Sequence, residues 1–206
     1  MDYKRRFIDI EAGWPGSVGD RRIWKNSALY QDYKTWLSQF PPIPVATGEL
    51  DGVLIEEDVT PFILADSAYP NTSNMVTTFK TTEITMDPVV GALNKKLGGA
   101  RYHVECAFGI LKARFQIFQR PLECAASDVR FAVYLTCAIF VLHNFLIDVR
   151  DEITREIAET HAENLIIDGE GEDEAAAING GDQDEDSEVR NVLIRHMAWI
   201  MDEYDR

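Results

Sequence analysis

Pro61-Phe62-Ile63-Leu64-Ala65-Asp66-Ser67-Ala68-Tyr69-Pro70 is an apolar run closed by an acid and a turn. Phe62 to Ala65 reads as a short buried strand. Asp66 then falls at the carboxyl end of that strand, the edge where α/β proteins build their sites. Taken alone, an Asp before Ser is most simply a turn former or a helix cap. Its place after a wholly apolar strand singles it out. A second acid, Glu105, lies in Ala100-Arg101-Tyr102-His103-Val104-Glu105-Cys106-Ala107-Phe108-Gly109-Ile110-Leu111-Lys112. Helical spacing puts Arg101, Glu105 and Lys112 together on one face, as an ordinary surface acid with ion-pair partners would have them. One carboxylate at a strand end and one on a helix also make an oxygen-ligand site for Mg²⁺ or Mn²⁺. Cations beside such a site would hold the phosphates of a substrate.

Charge is distributed unevenly around these two acids. The 206 residues carry a formal net charge of −15. Residues 151–206 hold 18 acids and 4 bases, a net of −14, and residues 1–150 are near neutral at −1. The low isoelectric point therefore belongs to the C-terminal stretch and does not exclude nucleic acid as a partner of the rest. Cys106, Cys124 and Cys137 are odd in number and widely spaced, which argues against a zinc site or a disulfide framework. They point to a reducing compartment, nucleus or cytosol. The N-terminus lacks the apolar run of a signal peptide. The longest apolar run, Phe131 to Leu142, falls short of the roughly 20 residues of a membrane span. It reads as a buried core helix, with no membrane partner.

Outward from the two acids, Phe7 to Ala12 alternates apolar and polar and predicts a strand, stopped by the turn Gly13-Trp14-Pro15-Gly16-Ser17. Asp20 to about Phe40 has helical spacing and ends at Pro41-Pro42-Ile43-Pro44. Gly48 to Gly52 is a turn before a short edge strand, Val53 to Ile55. Asn71 to about Asp87 reads as a connection with one short helix. From Asn94 the helical signal strengthens, with Gly98-Gly99 ahead of it and Pro121 ending it. Val104, Phe108, Leu111, Phe115 and Phe118 form an apolar stripe. Asp128 caps a second helix, Val129 to about Val149, whose His143-Asn144 reads as a satisfied buried pair. His103 is a plain polar helix residue. Residues from about 150 to 165 extend or form a charged helix. Asp168 to Glu188 has almost nothing to bury and is expected to be disordered. Val189 to Tyr204 regains apolar spacing and predicts a short terminal helix.

These residues resemble the transposase-derived DDE endonucleases of the PIF/Harbinger type. Gly13-Trp14-Pro15-Gly16-Ser17-Val18-Gly19-Asp20, with Ser27 after it, resembles that family's "GWPGSvhD…S" element. Leu64-Ala65-Asp66-Ser67-Ala68-Tyr69-Pro70 is similar to its "lgDsgYP" element. Arg101 to Phe115 is similar to its "aRv.vErafG.lK.RF" helix, and Val141-Leu142-His143-Asn144-Phe145 to its "lLHNfl" segment. The resemblance implies an α/β, RNase H-like fold of the DDE integrase/transposase type, a mixed sheet flanked by helices. It implies three carboxylates holding two divalent metals, Mg²⁺ or Mn²⁺, and DNA as the substrate. Asp66 matches the second acid and Glu105 the third, as catalytic and metal-holding residues. Asp20 matches a further family acid and is an additional candidate ligand. Arg101, Lys112 and Arg114 become nucleic-acid contacts.

The family's first acid lies in an element resembling "vDGthi", upstream of the Gly13 turn. Asp2 and Asp9 do not match that element, and Gly19 replaces the usual His. The expectation is therefore a truncated endonuclease domain over residues 1–150, missing its first strand or strands and the helix-turn-helix region of complete relatives. An acidic tail over 151–206 carries the terminal helix near 189–204. Nuclease activity is expected to be impaired; the alternative is a catalytically inactive domesticated remnant that binds DNA or protein. An open sheet edge predicts pairing with a protein partner or a second copy. The bland reading is an acidic α/β scaffold with no site.

Overall fold

The computed structural model describes residues 1–120, 129–152 and 187–204. They form a mixed α/β chain with α1 (Asp20–Asn26), α2 (Ala28–Leu37), β1 (Ile43–Leu50), β2 (Val53–Val59), β3 (Ile63–Ala65), β4 (Met75–Thr77), α3 (Thr81–Met86), α4 (Pro88–Arg114), a short 3₁₀ turn (Gln116–Gln119), α5 (Val129–Asp148) and α6 (Glu188–Tyr204). Where one mixed sheet was expected, the strands fall in two sheets. β1 and β2 pair antiparallel, and β3 and β4 pair parallel. Contacts divide the chain into two compact units. One contains residues 1–18 and the chain from Tyr102, and the other contains Gly19–Arg101 with α6.

The unit containing Gly19–Arg101 is organised by a hairpin. Asp51 and Gly52 have φ of 52° and 77°, the left-handed pair of a type I′ turn, whose twist matches that of the strands it joins. Residues 48–52 were read as a turn, but the turn is tighter and the strands are longer. β1 was hidden by the prolines at 41, 42 and 44 and by a bulge between Ala46 and Gly48. The β4 strand was also missed, because its three residues Met75-Val76-Thr77 are too short to show a period; all three are buried. The expected helix over 20–40 is two helices. Buried Ser27 interrupts it, its Oγ accepting from the Tyr30 N–H at 3.1 Å to cap α2.

Val59, Val76, Phe79, Val90, Leu93 and Leu97 make the core here, together with Val189 and Val192 of α6. The helix expected near 189–204 is thus present and has a face to bury. Arg195 grips both carboxylate oxygens of Glu57 at 2.8 and 2.5 Å, and His196 Nδ1 meets the Ala46 carbonyl at 2.5 Å. The guanidinium of Arg190 lies 3.6 Å from the centre of the Phe79 ring. Residues 153–186, including most of the acidic stretch expected to be disordered, lie outside the described residues, as do Pro121 and Asp128.

α4 starts two turns before the expected Asn94. Pro88 suits the first helical position, and the Asp87 carboxylate accepts from the Val89 N–H at 2.8 Å. Gly98 and Gly99, expected ahead of the helix, are inside it. Each glycine costs about 1 kcal/mol relative to alanine. Burial of Val90, Leu93 and Leu97 offsets that cost.

The other unit buries Cys106, Ala107, Ile110 and Leu111 of α4 and Ile139, Phe140 and His143 of α5. The buried face is thus displaced from the expected stripe, and Phe108 is partly exposed. Residues 7–12 are not a strand. Among the described residues they have no strand to pair with, and Phe7 and Ile10 pack as single side chains on the Leu111–Phe140 cluster. The Asn144 amide takes the place of a neighbouring strand. Its oxygen accepts from the Phe7 N–H at 2.9 Å, and its nitrogen donates to the Phe7 carbonyl at 2.8 Å. His143 Nε2 lies 3.1 Å from the Arg5 carbonyl, so His143-Asn144 is a satisfied pair. Burial lowers the His143 pKa; the bond to Arg5 opposes this and the charge of Arg114 adds to it.

α5 is not the fully buried helix its composition predicted. One face is packed, and the opposite face is open to solvent. Among the described residues it is the one helix long and apolar enough to cross a membrane, by length and composition only.

Two outcomes follow for stability. Asn144→Ala leaves both Phe7 groups unpaired and lowers unfolding free energy by about 2 kcal/mol in urea titrations. His143 has a folded-state pKa below its usual 6.5. Between those two values the unfolded chain binds the extra proton, so stability falls as pH drops below 6.5 and is level above it. Urea midpoints for the native chain and His143→Gln across this range should show the slope only in the native chain.

Candidate active site

Asp66 follows β3 directly, at its carboxyl end, where the sequence placed it. It also forms the turn that the simpler reading assigned to it. Its carbonyl accepts from the Tyr69 N–H at 3.0 Å, and its Oδ1 accepts from the Ala68 N–H at 3.0 Å. The other oxygen, Oδ2, is held by Nη1 of Arg101 on α4. The Asp66 side chain is still 48% exposed. The turn thus fixes one oxygen and the arginine the other, and the carboxylate faces solvent in one orientation.

Tyr69 completes this corner. Its ring meets Trp24 edge-on at 6.2 Å. Burial raises the phenol pKa, and the charges of Asp20 and then Asp66 raise it further. Both acids therefore act on the same hydroxyl. Asp20, exposed at the first position of α1, suits the positive end of a helix. Sequence reading did not give Tyr69 a role, although it stands in the same Asp-Ser-Ala-Tyr-Pro run. No sequence signal joins Arg101 to Asp66, 35 positions apart.

Glu105 is exposed on α4 and belongs to the other unit. Near it, the Tyr102 phenol is pushed up to about 12, first by its hydrogen bond with Cys106, then by burial and the Cys106 charge, with Arg5 opposing and Glu105 adding. Lys112 is exposed, as a phosphate contact requires. Arg114 is not placed that way. Its side chain is only 13% exposed and is ion-paired with Asp151. Two positions on a helix are some 200° apart, so Lys112 and Arg114 point different ways.

Asp66 has the chemistry of a hard-cation ligand. Its oxygens keep lone pairs beyond the bonds described, and the group is open to solvent. Among the described residues, however, no three His, Cys, Asp or Glu side chains come together as ligands. Arg101 already supplies a positive charge to Asp66. The residues fit a contribution to a metal centre and fall short of a complete one.

The described residues thus make a mixed α/β chain with a solvent-facing, arginine-held aspartate at the end of a parallel strand. The chain belongs to the DDE superfamily endonucleases, whose family profile matches residues 1–144. The family is transposase-derived, and its members generally depend on a divalent metal. The chain is similar to Protein ALP1-like of Arabidopsis thaliana, 24% identical over 152 residues, which is 74% of this chain and 35% of the relative. It thus spans about a third of that curated relative's length. No solved structure matches it.

Asp66→Ala should cost about 1 kcal/mol, because a half-exposed ion pair and one turn bond contribute little. A urea midpoint close to that of the native chain is the expected result.

Proposed function

We propose that this chain is part of an RNase H-like, DDE-type nuclease domain acting on DNA phosphodiesters. Asp66 and Glu105 are its metal-holding carboxylates, and Asp20 is an accessory acid. The observation that carries this reading is the fixed, solvent-facing Asp66 at the end of β3, in a chain whose first 144 residues match the endonuclease family. A bound Mg²⁺ or Mn²⁺ would supply the positive charge that lets clustered carboxylates work on a phosphodiester. Arg101 orients Asp66, and exposed Lys112 offers charge to the DNA backbone. Two metal-holding carboxylates, Asp66 and Glu105, fall one short of the three that the resemblance implies for a two-metal centre, so the chain should nick DNA weakly. Nucleus or cytosol is the compartment consistent with this substrate.

The second reading, a catalytically inactive remnant that binds DNA or protein, draws on the Arg101 contact. A guanidinium already neutralises Asp66 without any metal.

Supercoiled-plasmid nicking with Mg²⁺ or Mn²⁺, alongside Mn²⁺ titration, separates the two. On the first reading Asp66→Ala and Glu105→Ala each lose at least the roughly 10–100-fold typical of groups that merely support a metal ligand. Chelation abolishes the remainder. Equal nicking and equal Mn²⁺ affinity in the native chain and both variants would leave only the binding role.

A further inference from the structure

The open face of α5 is not a scatter of apolar residues. Phe131, Tyr134, Ala138, Val141 and Phe145 follow one another at intervals of 3, 4, 3 and 4, the spacing of a helix–helix seam. Phe131 is 66% exposed, Tyr134 72%, Val141 69% and Phe145 58%. Buried aromatic side chains cover ~150–250 Å² each, so this stripe offers on the order of 600 Å² of apolar area. That reaches the top of the roughly 300–600 Å² range for the largest patch on a monomer and approaches the 800 Å² per partner of a standard interface.

We propose that a second copy of this chain covers the stripe, through an antiparallel α5–α5 contact with its two-fold axis at Ala138. Two pairs of apolar residues are symmetric about that residue. Phe131 and Phe145 lie seven positions to either side of it, and Tyr134 and Leu142 lie four to either side. Each aromatic of one copy therefore faces an apolar residue of the other. Ala138 itself, exposed and small, stands where two helix backbones approach most closely. The charges agree. Arg130 and Asp148 are both exposed, at opposite ends of the helix, and their spacing of 18 positions is five full turns. They lie on the same edge of the stripe, and antiparallel pairing brings Arg130 of each copy towards Asp148 of the other. Asp148 already has one cationic neighbour, Arg6 at 3.1 Å, and half of its side chain remains open.

A membrane is the other apolar medium that α5 would suit by length. A spanning helix is apolar all round. The face of α5 opposite the stripe instead carries buried His143 and the Asn144 amide, both bonded to the N-terminal backbone. The apolar surface is one-sided, as a protein seam is. This inference does not depend on nuclease activity.

Sedimentation velocity of the full 206-residue chain, up to about 100 μM, tests it. The expected result is a monomer–dimer equilibrium that Val141→Glu shifts wholly to monomer with unchanged helicity. Arg130→Glu should weaken the dimer about fivefold, and Arg130→Glu with Asp148→Arg should restore it. Ala138→Cys should cross-link to dimer under mild oxidation at a yield well above that of the native chain. A native chain that stays monomeric at the highest concentration overturns the proposal, as does a dimer indifferent to Val141→Glu. Co-sedimentation with phosphatidylcholine vesicles in place of self-association would overturn it in favour of a membrane.

Discussion

The Phe7 backbone has two hydrogen-bonding groups to satisfy and, among the described residues, no strand beside it, and its unit is arranged around that constraint. A buried peptide N–H or carbonyl left alone costs as much as a lost hydrogen bond. Asn144 meets the requirement with one side chain whose oxygen accepts and whose nitrogen donates, as a neighbouring strand would at a single residue. His143 does the same for the Arg5 carbonyl. With these bonds made, Phe7 can lay its ring edge-on against Phe140 at 4.4 Å and Phe108 at 5.1 Å. α5 is thereby committed to one face, and the polar pair in an otherwise apolar helix has a structural use.

That commitment leaves the opposite face of α5 uncovered. A helix apolar on two faces suits a layer buried on both sides. With one side packed on the N-terminal segment and α4, the other has the surface of an interface. The same residues that read as a core helix by composition therefore become a seam by position.

At Asp66 the governing interaction is electrostatic. The carboxylate takes one bond from its own turn and one from Arg101. The half-exposed pair adds little to stability. Its effect is orientation, since the acid is held toward solvent and beside Tyr69. The cation that this acid meets is the Arg101 guanidinium. Family membership covers the first 144 residues, and the geometry fixes Asp66 among them.

Local sequence determined the elements with strong periods. The helix over Val129–Asp148, the terminal helix, the apolar strand before Asp66 and the His143-Asn144 pair were all legible. The partners of His143 and Asn144 lie at the far end of the chain, at Arg5 and Phe7, whereas the three elements depend on residues a few positions apart. The family motifs were legible for the same reason, as short runs in a fixed order. What the sequence could not show depended on partners distant along the chain. Residues 7–12 alternate like a strand, but a strand needs a neighbour, and alternation does not say whether one is present. Nothing in the spacing pairs Arg114 with Asp151 or Arg101 with Asp66. β4 is too short to have a period, and the two faces of α5 differ only in what packs on them. Spacing along the chain sets which side chains share a face. Only the tertiary structure decides what that face meets, because burial and pairing energies belong to contacts between distant segments.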